Sequence, residues 1–215
     1  MKYIIIILCF VMSWQCKSQQ LFTEFGKAMS AFDYKNSLGE PLDNLLSKPN
    51  FYMKMGYRDV LNSDETLHIT LGATYNGYGA IGSDRTLDNF FEWDVTYLGF
   101  EAGLDYRLFR MREFSFYLKG LASVEFMIQG TQTVNNQVFN LVGEEEFNNT
   151  IFFLRGGVMM TYPIAKNTLI TANYTLGKTA LLDKDNSTDN EELKFMSHQF
   201  GFGIIINLPS CNCPY

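Results

Sequence analysis

After an opening apolar run from Ile4 to Met12, this chain has no long hydrophobic segment. A helix needs about 20 apolar residues to cross a bilayer, so no helical span is expected. Basic stretches are missing too. The formal net charge is -6, which argues against a nucleic-acid partner. Only two histidines occur, His68 and His198, and neither stands near cysteines at zinc-site spacing. Phosphate loops and nucleophile elbows are absent from the sequence. We therefore expect no cofactor, no metal and no enzyme. There is no internal repeat, Pro-rich linker or second domain, and 215 residues suit a single domain.

The start reads as an export signal. Lys2 precedes the apolar run, and Ser18 supplies a small residue for cleavage. The expected division is 1–18 as signal peptide, 19–208 as the folded domain and 209–215 as a tail. Cys16 is an alternative as a lipidation site, although Trp14-Gln15 fit a lipobox poorly. Two cysteines remain in the mature chain, Cys211 and Cys213, both in the tail. An exposed tail, a disulfide in an oxidising compartment and a metal or redox role all stay open.

What the chain has in quantity is alternation. Aromatics make up 15%, with 19 Phe and 12 Tyr, which favours strands. From Thr96 to Phe109, Leu98, Phe100, Ala102, Leu104, Tyr106 and Leu108 alternate with Tyr97, Gly99, Glu101, Gly103, Asp105 and Arg107. Phe114 to Gln129 repeats the pattern. So do stretches near 51–58, 66–76, 152–162, 170–177 and 196–207. The stretch near Phe22–Phe32 is weaker, because Lys27 breaks its apolar face and Gly26 suggests a bulge. Such lengths exceed soluble strands and suit membrane strands. Tight connections are expected near Asn62-Ser63-Asp64, Arg110-Met111-Arg112 and Ala165-Lys166-Asn167. Longer polar ones are expected near 33–50, 79–89, 130–149 and 179–194. The class with short turns at one end and long loops at the other is the all-β, eight-stranded antiparallel up-and-down transmembrane barrel.

Alternation leaves open which face is outside. A soluble lipid-binding barrel puts its apolar face inward, and an outer-membrane barrel puts it outward. Three features favour the second. Both charge signs occur at mid-strand on the polar face. Glycines recur there (Gly56, Gly72, Gly99, Gly103, Gly157, Gly177, Gly201 and Gly203), leaving space beside large charged groups. Aromatics gather toward strand ends, as in interfacial girdles: Phe51, Tyr57, Tyr75, Tyr78, Phe90, Phe91, Trp93, Tyr106, Phe114, Phe152, Tyr162 and Tyr174. The expected lumen is filled by a polar network of Lys54, Arg58, His68, Glu101, Asp105, Arg107, Lys119, Glu125 and Arg155, with Glu101 paired to Lys119. Ser197 and His198 point to opposite faces and cannot act together. His198 reads as an interfacial residue.

The last strand, Gln199-Phe200-Gly201-Phe202-Gly203-Ile204-Ile205-Ile206, is similar to the assembly signal of bacterial outer-membrane barrels. Gln199, Gly201, Ile204 and Ile206 match its positions, whereas a Pro-Ser-Cys-Asn-Cys-Pro-Tyr tail replaces the usual terminal aromatic. Residues 19–208 resemble small eight-stranded barrels of the OmpA-transmembrane, OmpX and OmpW type, and the composition resembles a Bacteroidota outer-membrane barrel. That resemblance implies the cell outer membrane, both termini periplasmic, contact with outer-membrane lipid and lipopolysaccharide, and recognition by the barrel assembly machinery. It also implies a structural or accessory role, with a partner, such as another outer-membrane complex, held by loops or tail. The enzymatic alternative is a lipid A-modifying hydrolase or acyltransferase.

Overall fold

The computed structural model describes residues 19–35, 45–84, 89–143, 150–181 and 192–208. The signal segment, Cys16, the tail with Cys211 and Cys213, and the acidic runs after Gly143 and Leu181 lie outside them. Nine strands follow one another: β1 Gln20–Lys35, β2 Leu46–Val60, β3 Leu67–Asp84, β4 Asn89–Met111, β5 Phe114–Val134, β6 Gln137–Asn140, β7 Ile151–Ala165, β8 Thr168–Leu181 and β9 Glu192–Asn207. Eight of them close into an antiparallel cylinder, each pairing with its neighbours in sequence and β9 with β1. β6 stands apart. It pairs only with β5, as the return arm of a hairpin above the cylinder.

Partner residues around the sheet run from Gln20 through Arg58, Thr70, Gly103, Leu121, Arg155, Gly177 and Ser197, and arrive back on β1 at Ser30. The cylinder therefore closes with a stagger of ten residues, which tilts the strands by about 40° and leaves an interior wide enough only for side chains.

Burial settles the two faces. Large apolar side chains point away from the cylinder and stay accessible, as with Phe100 at 72%, while Arg58 and Lys54 on the other parity are 2% exposed. A soluble protein would show the reverse. The apolar face is the outer wall.

Turn chemistry places one end. Asn62 accepts from the amides of Thr66 and Leu67, both at 2.9 Å, and its Nδ2 donates to the Thr66 hydroxyl at 2.6 Å. Glu65 is thereby held at φ 54°. Replacing Asn62 with alanine removes three bonds from a partly buried turn. About 1–2 kcal/mol of stability is expected to go with them, read as an earlier urea midpoint for loss of the heat-resistant gel band. The β4–β5 turn is Arg112-Glu113, one residue later than expected, and the β7–β8 turn is Lys166-Asn167.

Several sequence expectations change. Gly26 is no bulge, since β1 holds continuous register with both neighbours. The breaks lie instead near Ser47/Tyr52, Thr96/Tyr97, Arg107/Phe109, Phe152/Phe153 and Pro163/Ala165. The bulge opposite Thr96/Tyr97 reverses parity in β5, so Gln129 faces outward rather than into the lumen. The long connections shrink as well. β3 and β4 stay paired from Leu67↔Tyr106 to Asp84↔Asn89, because a backbone ladder outside a membrane does not require alternating apolar residues. The third connection contains a tight hairpin at Asn135-Asn136, with φ 47° and 69°, the signature of a two-residue turn with both central residues left-handed.

Candidate functional site

The interior is the densest chemistry in the molecule. Eight charged side chains are buried there: Glu24, Glu101, Asp105 and Glu125 against Lys54, Arg58, Lys119 and Arg155. Four charges of each sign lie in layers along the axis. Nearest the turns, Arg58 Nε donates to Asp105 at 2.8 Å and its Nη1 to Gln20 at 2.6 Å. Its guanidinium also lies 4.8 Å from the Tyr117 ring centroid. Midway, Lys54 meets Glu101 at 2.8 Å, and Lys119 reaches across to Glu24 at 3.4 Å. Tyr52 donates to Glu24 at 2.8 Å. Toward the loops, Arg155 pairs with Glu125 at 2.6 Å and donates to Ser123 and Tyr78. The Tyr78 hydroxyl donates to Glu125 at 2.7 Å. Buried charges survive only when paired and hydrogen-bonded in this way.

Glycines make the space. A methyl on Gly99 would lie 2.8 Å from Cγ of Glu125, one on Gly177 would overlap the stem of Arg155, and one on Gly201 would overlap the Tyr52 hydroxyl.

Of the nine expected network residues, eight line the lumen; His68 packs edge-on against Tyr117, 5.6 Å between centroids. Arg107 sits at the mouth and donates to the Asp64 carbonyl at 2.9 Å. The expected Glu101–Lys119 pair is corrected. Register sets Glu101 opposite Ser123 and Lys119 opposite Asp105, and the ion-pair partners come from across the barrel. Sequence reading missed Glu24. Its signal was present in the period-2 series Gln20, Phe22, Glu24, Gly26, and the outward Lys27 obscured it.

A second correction concerns the aromatics. Tyr78 and Trp93 are not in a girdle; they are buried inside the loop end with Val95, Tyr97, Leu141, Ile151 and Phe153. Tyr78 stacks on Phe153 at 5.4 Å, and Arg155 lies 4.2 Å over the same ring. Trp93 and Val95 share the parity of Tyr97, so they follow it inward. This apolar plug seals the lumen above Arg155. Between the middle and the turn-side ion pairs, the lumen contains a cavity of about 20 Å³ faced by Glu24, Lys119, Arg58, Thr70 and Asp105, and a vestibule of about 380 Å³ lies at the turn end. Neither makes a through-passage.

Outside, Ser197 is buried in the lumen while His198 faces the wall, where its Nδ1 lies 2.9 Å from the Tyr174 hydroxyl. No metal-type cluster occurs among the described residues. In the last strand, Gln199 and Gly201 face inward and Ile204 and Ile206 outward.

A polar, charge-lined interior inside an apolar wall, closed by eight meandering strands, defines the fold of the transmembrane outer-membrane β-barrels. No family model matches the sequence, and no curated protein matches it. Solved structures do. A major outer-membrane protein from Thermus thermophilus superposes with a TM-score of 0.51 at 11% identity, over 87% of this chain and 99% of its own. Neisserial surface protein A gives 0.49 at 14% identity, over 87% and 97%. The outer-membrane protease OmpT of Escherichia coli gives 0.46 at 8%, over 89% and 97%. At these identities the likeness is one of fold alone, and of the three only the Thermus barrel superposes closely enough to bear on it.

Proposed function

We propose that this protein is an integral barrel of the bacterial outer membrane, non-catalytic, that acts as a scaffold and holds a partner at its loop end. The sealed lumen is the observation that carries this reading. The buried charges are spent on ion pairs and the loop-end aromatics on the plug, which leaves the interior to a structural role. In this reading the turn end and both chain termini are periplasmic, and Gln199, Gly201, Ile204 and Ile206 form the signal read by the assembly machinery.

The partner surface is the sheet that rises above the cylinder. β3, β4 and β5 continue together to Asp84, Asn89 and Val134, and β6 adds a fourth strand whose far edge is unpaired among the described residues. Val138 is 68% exposed, and Phe139 and Val142 are about half exposed. A free strand edge with apolar side chains is a template for an added strand.

An enzyme acting on lipid would need a nucleophile beside His198, and the side chain hydrogen-bonded to that ring is Tyr174. A soluble carrier would need an apolar lumen.

Two measurements test the proposal. In planar bilayers the purified protein is expected to remain silent; a stable open state of porin size contradicts it. A photo-crosslinking residue at Phe139 is expected to capture a partner in cells that the same probe at Tyr57 misses. Equal capture at both positions would remove the loop-end assignment.

A further inference from the structure

We propose that Lys27, His198 and Lys178 form a site on the outer wall for the phosphate of a membrane-lipid headgroup. The site rests on the reading that this wall lies in a membrane.

The three residues stand on consecutive strands of the closed sheet, β1, β9 and β8. In register, Lys27 faces Phe200 and Lys178 faces Met196, while His198 sits between them, opposite Met29 on one side and Leu176 on the other. Each lysine is thus a diagonal neighbour of the histidine, about 7–8 Å away by backbone geometry. The ten-residue stagger lowers the level line by little more than one residue per strand. His198 and Lys178 therefore lie at nearly one height, with Lys27 slightly nearer the turn end. The diagonal in the sheet is close to a horizontal arc around the cylinder.

That arc crosses the loop-side part of the apolar wall, with Met29, Ala31 and Met196 as the outward positions beyond it. Phe51 lies directly across from Lys27, and the Phe51 ring packs against Tyr75 on the next strand, 6.4 Å between centroids. Tyr174 packs on Phe200 at 4.6 Å, and its hydroxyl fixes the histidine ring through Nδ1.

Both lysines are exposed, and no carboxylate stands at the outward positions of β1 from Leu21 to Ala31, of β8 from Ile170 to Lys178 or of β9 from Met196 to Ile206. By contrast, the partly buried Lys48 at the loop end of β2 is neutralised within the protein: it holds Glu92 at 2.9 Å and Asp94 at 2.7 Å. Cations at the edge of a hydrocarbon layer sit where an anion can meet them. A lipid phosphate has the right charge and is present at this depth. The long lysine stems let both ammonium groups converge on a headgroup beside His198, while its acyl chains lie along Phe202 and Ile204.

Native mass spectrometry of the full chain, released from detergent, tests this with three probes: phosphatidylglycerol, digalactosyldiacylglycerol (which has no phosphate) and inorganic phosphate. Wild type is expected to retain phosphatidylglycerol. Each lysine near a membrane surface is worth about fivefold in affinity, so Lys27→Gln with Lys178→Gln should lose roughly 25-fold. The arginine pair at the same positions should bind as wild type does, and Lys48→Gln should change nothing. The site is overturned if the glutamine pair still binds fully, if the phosphate-free lipid is held as tightly, or if inorganic phosphate displaces the lipid at equal concentration. Failure of the membrane reading looks different: wild type would then stay soluble without detergent and show no heat-modifiable gel mobility.

Discussion

Arg155→Met is expected to destabilise the folded barrel by about 3–5 kcal/mol, the loss typical when one partner of a buried ion pair is removed. The substitution nearly preserves volume, so cavity formation contributes little. What it removes is the fully buried partner of Glu125 and the donor to Tyr78 and Ser123. Glu125 is 0% exposed, and its carboxylate cannot recover water. The double variant Arg155→Met with Glu125→Leu is expected to regain at least half of the loss, because an apolar pair of similar volume avoids the stranded charge. Urea titration in micelles, read by the heat-modifiable band, gives both values. A single variant as stable as wild type would mean that the network is ornamental.

The second large effect is steric. Gly26→Ala is expected to cost about 3 kcal/mol or to block folding. A methyl there would overlap the Phe200 carbonyl and the Gly201 backbone, and neither is a side chain that can turn aside. Gly120 provides the control. It faces outward with open space around its Cα, so Gly120→Ala should change stability by no more than about 0.5 kcal/mol. Equal losses at the two positions would show that the cost is strand propensity rather than space.

Parity explains how much of this was legible in the sequence. Once Glu101, Asp105 and Arg107 are seen to alternate with Leu98, Phe100 and Leu104, the wall and the lumen follow, and so does the burial of Lys54, Arg58 and Arg155. What parity cannot give is who meets whom. Lys119 and Glu24 lie 95 positions apart, and only closure of the cylinder brings them together. The Glu101–Lys119 expectation failed because the turns and bulges between β4 and β5 set Glu101 against Ser123. The bulge that turned Gln129 outward left no mark in composition. Tyr78 and Trp93 look like girdle residues by type and by position near strand ends. Their inward direction appears only when the counts from Thr74 to Tyr78 and from Tyr97 to Trp93 are carried past the point where the apolar pattern stops.

The equal tally of acids and bases inside the cylinder has an electrical consequence. A potential across a membrane does work on net charge displaced through it, about 2.3 kcal/mol per elementary charge per 100 mV. The described lumen charges sum to zero and are locked pairwise. Among these residues a voltage therefore acts on no net charge.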